Sequence, residues 1–157
     1  MTTLLKGGLC ALAMLAAAPS AHAAQVCAWM TETVGEDDLH EVTLWLEADS
    51  DLDLYYMIKG EGFKTEGSRM HSPGTGTYGL HAGKAASPWG FGATLSPPGE
   101  IDIIAEVHAP PKSIFQDEEP PLLAAFTFHR AVPEGETKAP ATFAQHQCKT
   151  VTPPRAN

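Results

Sequence analysis

Apolar residues recur at every second position through most of this chain, and a period of two commits it to β-strands. Val42, Leu44 and Leu46 alternate with Thr43, Trp45 and Glu47. Leu52, Leu54, Tyr56 and Ile58 alternate in the same way with Asp53, Tyr55, Met57 and Lys59. Ile101, Ile103, Ala105 and Val107 form a third apolar face, with Asp102 and Glu106 opposite. Ala124, Phe126 and Phe128 form another, and so do Trp89, Phe91, Ala93 and Leu95, with Gly90 and Gly92 between them. Successive side chains of a strand point to opposite faces, so each run has one face to bury. No stretch sustains a helical period.

Shorter candidates lie at 26–33, 67–71 and 77–80, which brings the count to seven or eight strands. Turn signals fall about every 8–12 residues, the spacing of an antiparallel sandwich or small barrel. Two sheets packed face to face bury all these faces most simply, and the fold expected is an all-β antiparallel sandwich. Asp49-Ser50-Asp51 reads as a hairpin turn joining the runs at 40–48 and 52–58, because short polar side chains bond their own backbone there. Ala109 to Pro121 reads as a loop. It holds Pro110-Pro111, Asp117-Glu118-Glu119 and Pro120-Pro121, and prolines at both ends resist inclusion in a sheet.

The first 23 residues have the zones of an export signal: Lys6, the apolar run Leu9 to Ala18, and small residues at Ala21 and Ala23. The apolar run is too short for the roughly 20 residues of a spanning helix. Cleavage there leaves a domain at 24–148 and a flexible tail at 149–157, with Cys27 and Cys148 as the remaining cysteines. Two cysteines in an exported chain pair, and neither belongs to a C-x-x-C motif. Closing a loop of about 120 residues is worth ~4–5 kcal/mol in the chain-entropy account. The localisation expected is periplasmic or secreted.

With 10 Lys and Arg against 19 Asp and Glu, the formal net charge is −9. Such a chain is repelled by phosphate backbones and anionic membranes, which excludes nucleic acid and lipid as natural partners and favours a basic protein. A chain of this length buries its own core and reads as a monomer.

No nucleophile elbow, zinc-protease helix or phosphate loop is present. The carboxylate clusters at Asp37-Asp38, Asp49/Asp51/Asp53 and Asp117-Glu118-Glu119 sit in polar turns and read as solvated faces, whereas acid–base work needs one carboxyl buried beside another that is not. The chain reads as a non-enzyme without cofactor. Met70 and His71, with His81 brought beside them by a hairpin, offer sulfur and imidazole in a combination that suits copper. Scattered surface histidines need no metal, and none is assigned.

Trp29, Trp45 and Trp89 raise the question of an aromatic platform. Trp89 shares the apolar face of its run and belongs to the core. Trp45 lies on the face that should be wet, as do Tyr55 and Met57. If their strands pair, Trp45, Tyr55 and Met57 form one exposed apolar patch, the mark of a partner site. Ile114 and Phe115, two large apolar residues in the Pro-rich loop, are a second candidate contact.

Between Leu54 and Val107 the chain resembles the small periplasmic curli-assembly proteins. The resemblance rests on Tyr56, Lys59 and Gly60, Gly67-Ser68, Gly76-Thr77-Tyr78, Leu80-His81-Ala82-Gly83, Ala93-Thr94-Leu95, Pro98-Gly99 and Ala105-Glu106-Val107. It implies an immunoglobulin-like sandwich and a chaperone-like role, keeping an amyloid-forming fibre subunit from polymerising early. Some members carry C-x-C; here Ala28 and Trp29 follow Cys27, so no redox role is carried over. An inhibitor of a basic hydrolase such as lysozyme, and a copper-binding periplasmic domain, are the alternatives.

Overall fold

The structure, a computed structural model, describes residues 23–34, 39–63, 69–71, 74–94, 99–113, 118–133 and 146–153. Among these residues there is no helix, and hence none long and apolar enough to cross a membrane. Nine strands form: β1 (Ala24–Val34), β2 (Leu39–Ala48), β3 (Leu52–Phe63), β4 (Arg69–His71), β5 (Gly74–Leu80), β6 (Ala86–Thr94), β7 (Gly99–His108), β8 (Leu122–Val132) and β9 (Gln147–Val151). The first sheet has the order β6-β2-β1-β9, and the second β4-β3-β7-β8 with β5 also on β3. Every pairing is antiparallel. The expected all-β sandwich is the observed architecture.

The period-two faces meet between the sheets. Val26, Ala28, Met30, Val42, Leu44 and Leu46 from the first sheet are fully buried, as are Leu54, Ile58, Ile103, Ala105 and Phe126 from the second. Trp89 is in this core, as its sequence phase requires. Gly74 of β5 makes room for it, because a Cβ there would collide with the indole. β4 and β5 keep one register along β3, with Phe63 opposite Arg69, Ile58 opposite Gly74 and Leu52 opposite Leu80. Both therefore follow β3 as one line of pairing.

The hairpin expected at 49–51 is corrected. β2 and β3 do not pair; they belong to opposite sheets, and the turn carries the chain over the rim of the core. Ala48 and Leu52 are both buried on its two sides, and its acids hold it in place. The Asp49 carboxylate accepts from the Gln25 N–H at 2.9 Å, and Asp51 from the Ala82 N–H at 2.9 Å. Gly83, at φ 66°, lets the facing turn bring its N–H to the Ala48 carbonyl at 2.8 Å.

The tail expected after Cys148 is also corrected. Cys27 and Cys148 lie directly opposite in the β1–β9 ladder, joined by a disulfide, so Lys149 to Val151 continue that ladder against Ala24 to Val26. Val151 is buried. Residues 154–157 lie outside the described residues, as does the expected export signal up to residue 22.

One buried pair breaks the apolar pattern. Glu32 of β1 and Arg130 of β8 occupy inward positions on facing sheets, and Arg130 Nε donates to Glu32 Oε2 at 3.1 Å. Glu32 is 1% exposed. Taking one charge away strands the other in a low dielectric, at a cost of roughly 3–5 kcal/mol. Arg130→Met is therefore expected to lower unfolding stability by about 3–5 kcal/mol, measured as a drop in the urea midpoint without a change in slope.

Candidate functional site

Alternation on β1 and β2 sends Cys27, Trp29 and Thr31, and Thr43, Trp45 and Glu47, to the outer face of the first sheet. The antiparallel registers then line these residues up in rows across the strands. Trp29 is opposite Trp45, and His146 immediately precedes β9 at the next position along the row. The rings are stacked: Trp29 and Trp45 have centroids 6.3 Å apart with planes inclined by 9°, and Trp29 and His146 are 4.2 Å apart at 6°. Cross-strand aromatic pairs of this kind stabilise a sheet as well as paving it. The Trp45 indole N–H donates to Thr31 Oγ1 at 2.9 Å, which fixes the ring. Both tryptophans are half-buried and His146 is exposed.

The rows on either side are flatter. Cys148, Cys27 and Glu47 form one, so the disulfide lies on this outer face beside the aromatic rings. Thr31, Thr43 and Gly90 form the other, and a Cβ at Gly90 would meet nothing closer than 3.8 Å. The result is an aromatic ridge bordered by low ground. It has the features of a contact surface.

The sheet edges beside this face are blunted. At β6 the register shifts between Leu44 and Leu46, next to Pro88, and a bulge and a proline both discourage an added strand. At the other edge, Gln147 and Lys149 sit at inward positions of β9. Gln147 Nε2 donates to the Thr127 carbonyl at 2.8 Å, and Lys149 Nζ to the Ala125 carbonyl, with its ammonium 5.5 Å from the Phe126 ring centroid. These two side chains occupy backbone acceptors of β8.

The patch expected from Trp45, Tyr55 and Met57 does not form. β2 and β3 are in different sheets, so Trp45 faces outward on one side of the sandwich and Tyr55 and Met57 on the other. Trp29 takes the place beside Trp45 instead. Ile114 and Phe115 lie outside the described residues. His71 and His81 are also apart: both follow the same side of β3, about ten residues and ~33 Å along one extended line. β4 and β5 each pair with β3 and not with one another, so the expected hairpin does not bring the two histidines together. His81 is exposed and 3.8 Å from Asp51.

The outer face of the second sheet mixes Tyr55, Met57 and Ile104 with polar and titratable groups. His129 Nδ1 lies 2.7 Å from Asp102 Oδ1, both exposed. The hydrogen bond to Asp102, then its charge and that of Glu100, raise the His129 pKa above 6.5. At the far end of the same face His108 is buried beneath the Pro-rich loop, whose base closes through the Ala109 N–H to the Pro121 carbonyl at 2.9 Å.

The chain matches no protein-family model and no curated protein. Among solved structures it is similar to the curli protein CsgC of E. coli, in its SeCys form. That similarity has a TM-score of 0.45 and 13% identity, and it covers 65% of this chain and 96% of that one.

The His129 pair yields a signed expectation. A raised folded pKa means that the pair's stabilisation is full below pH 6.5 and is lost as pH climbs through the folded value. NMR titration should place His129 above 6.5, and Asp102→Asn should bring it down toward 6.5.

Proposed function

We propose that this domain is an exported, non-enzymatic binding module that holds an amyloid-forming fibre subunit in check before assembly. The observation that carries the reading is the stacked row of His146, Trp29 and Trp45 on a sheet whose edges are blunted. An extended segment laid against that face gains aromatic contact and burial. Aromatic residues at the centre of an interface commonly carry about 2 kcal/mol or more each. A fibre grows by adding strands to an open edge. A module that binds through its face, and keeps its edges occupied or irregular, captures such a segment without offering a template of its own.

Three further features support the reading. The resemblance over Leu54 to Val107 implies this class of role. The disulfide between Cys27 and Cys148 fits an oxidising compartment such as the periplasm. The net charge of −9 favours basic segments in the partner. That same charge supports a second reading, inhibition of a basic hydrolase such as lysozyme, which differs in its sensitivity to salt.

Added below equal stoichiometry, the protein should lengthen the lag of thioflavin-monitored polymerisation of a curli-type subunit. The double variant Trp29→Ala, Trp45→Ala should lose most of this effect, with binding about 30-fold weaker for each 2 kcal/mol removed. An unaltered lag, alongside salt-sensitive loss of lysozyme turnover, would transfer the assignment to the second reading.

A further inference from the structure

A cluster of three side chains that neither the sequence motifs nor the proposed function accounts for lies on the second sheet, where residues 118–121 return over the end of β7. His108 is the last residue of β7 and is 2% exposed, although its position in the alternation is outward. The returning loop is what buries it. Its Nδ1 is 2.7 Å from the Pro120 carbonyl oxygen. A carbonyl can only accept, so the proton is on Nδ1. The Tyr55 ring meets the imidazole edge-on, with centroids 6.2 Å apart, and so restrains its rotation.

That assignment leaves Nε2 as a lone pair in the neutral ring, and it faces two carboxylates. Glu106 Oε2 is 3.4 Å away and Glu119 Oε1 is 4.0 Å away. Three acceptors converge, all within 4.8 Å of one another. Only a proton or a cation can reconcile them. An N–H···O bond would draw a carboxylate to about 2.7–3.2 Å. The edge of a tetrahedron around zinc, with ligands near 2.05 Å, is instead about 3.3 Å. The His108–Glu106 separation corresponds to such an edge, and Glu119, 65% exposed at its side chain, needs only a small rotation to join.

We infer that Glu106 Oε2, His108 Nε2 and Glu119 Oε1 form a binding site for a divalent transition metal of the zinc class, with water as the fourth ligand. One imidazole and two carboxylates form an N/O donor set that zinc accepts. The hydrogen bond from Nδ1 to a backbone carbonyl is the outer-shell contact that metal-bound histidines almost always make. Lys59 Nζ lies 3.9 Å from Glu106 Oε1, the oxygen turned away from His108, and so leaves Oε2 to the metal. Two carboxylates balance the ion's charge. The bound metal ties Glu119 to Glu106 and His108 of the sheet and adds a third link to those that Pro120 and Pro121 make with the end of β7.

The test is equilibrium dialysis of the tag-free chain against zinc chloride at pH 7.5, with metal counted by mass spectrometry. One zinc per chain is expected, weakened roughly tenfold or more by Glu119→Gln. That exposed residue can change without disturbing the core, so a misfolded variant does not obscure the result. Glu106→Gln should act in the same direction. Absence of stoichiometric uptake overturns the inference. Uptake undiminished in both variants also overturns it, since the metal then sits on other histidines.

Discussion

The register of β1 is the constraint on which the rest of the molecule depends. β1 lies inside the first sheet with a partner on each side, and its alternation divides the structure into an interior and a surface. Val26, Ala28, Met30 and Glu32 face the opposing sheet, while Cys27, Trp29 and Thr31 face outward. A slip of one residue would exchange these sets, exposing the core and burying the cystine and the indole. The covalent bond to Cys148 and the ring pairing with Trp45 both hold only in the observed register. The ion pair to Arg130 is a third lock, because Glu32 can reach β8 only from an inward position.

With that division fixed, the two outer faces acquire different chemistry. The first sheet presents rings, a cystine and small residues, which suit contact with a polypeptide. The second presents titratable groups: Asp102 and His129 toward one end, and Glu106 and His108 toward the other.

The architecture was legible in the sequence because each inward run is nearly pure. Val42 to Leu46 and Ile103 to Val107 leave no doubt which side is buried, and turn residues separate the runs. Sheet membership was not legible. A three-residue turn of short polar side chains can close a hairpin or carry the chain over a rim, and distant contacts of Asp49 and Asp51 decide between them. The surface patch is hidden for that reason: alternation puts Trp45 on the wet face, but its neighbour there is Trp29 of β1, not Tyr55 and Met57 of the other sheet. Trp29 could have been matched with it, since the alternation of Val26, Ala28 and Met30 already puts that indole outward. The convergence of Glu106, His108 and Glu119 had no local signature. The Pro-rich loop brings Glu119 back over the end of β7, and sequence spacing does not show that return.

The disulfide occupies the row next to the rings, and its strand carries the third of them. β9 is only five residues long, and a long connection separates it from β8. Docking so short a terminal strand against β1 by backbone pairing alone works against the entropy of that connection; the covalent link removes much of the penalty. The stack is therefore completed by oxidation. In a reducing environment the chain can build its two tryptophans into the sheet and still lack a reliably seated His146, so completion of the aromatic row is tied to the redox state of its surroundings.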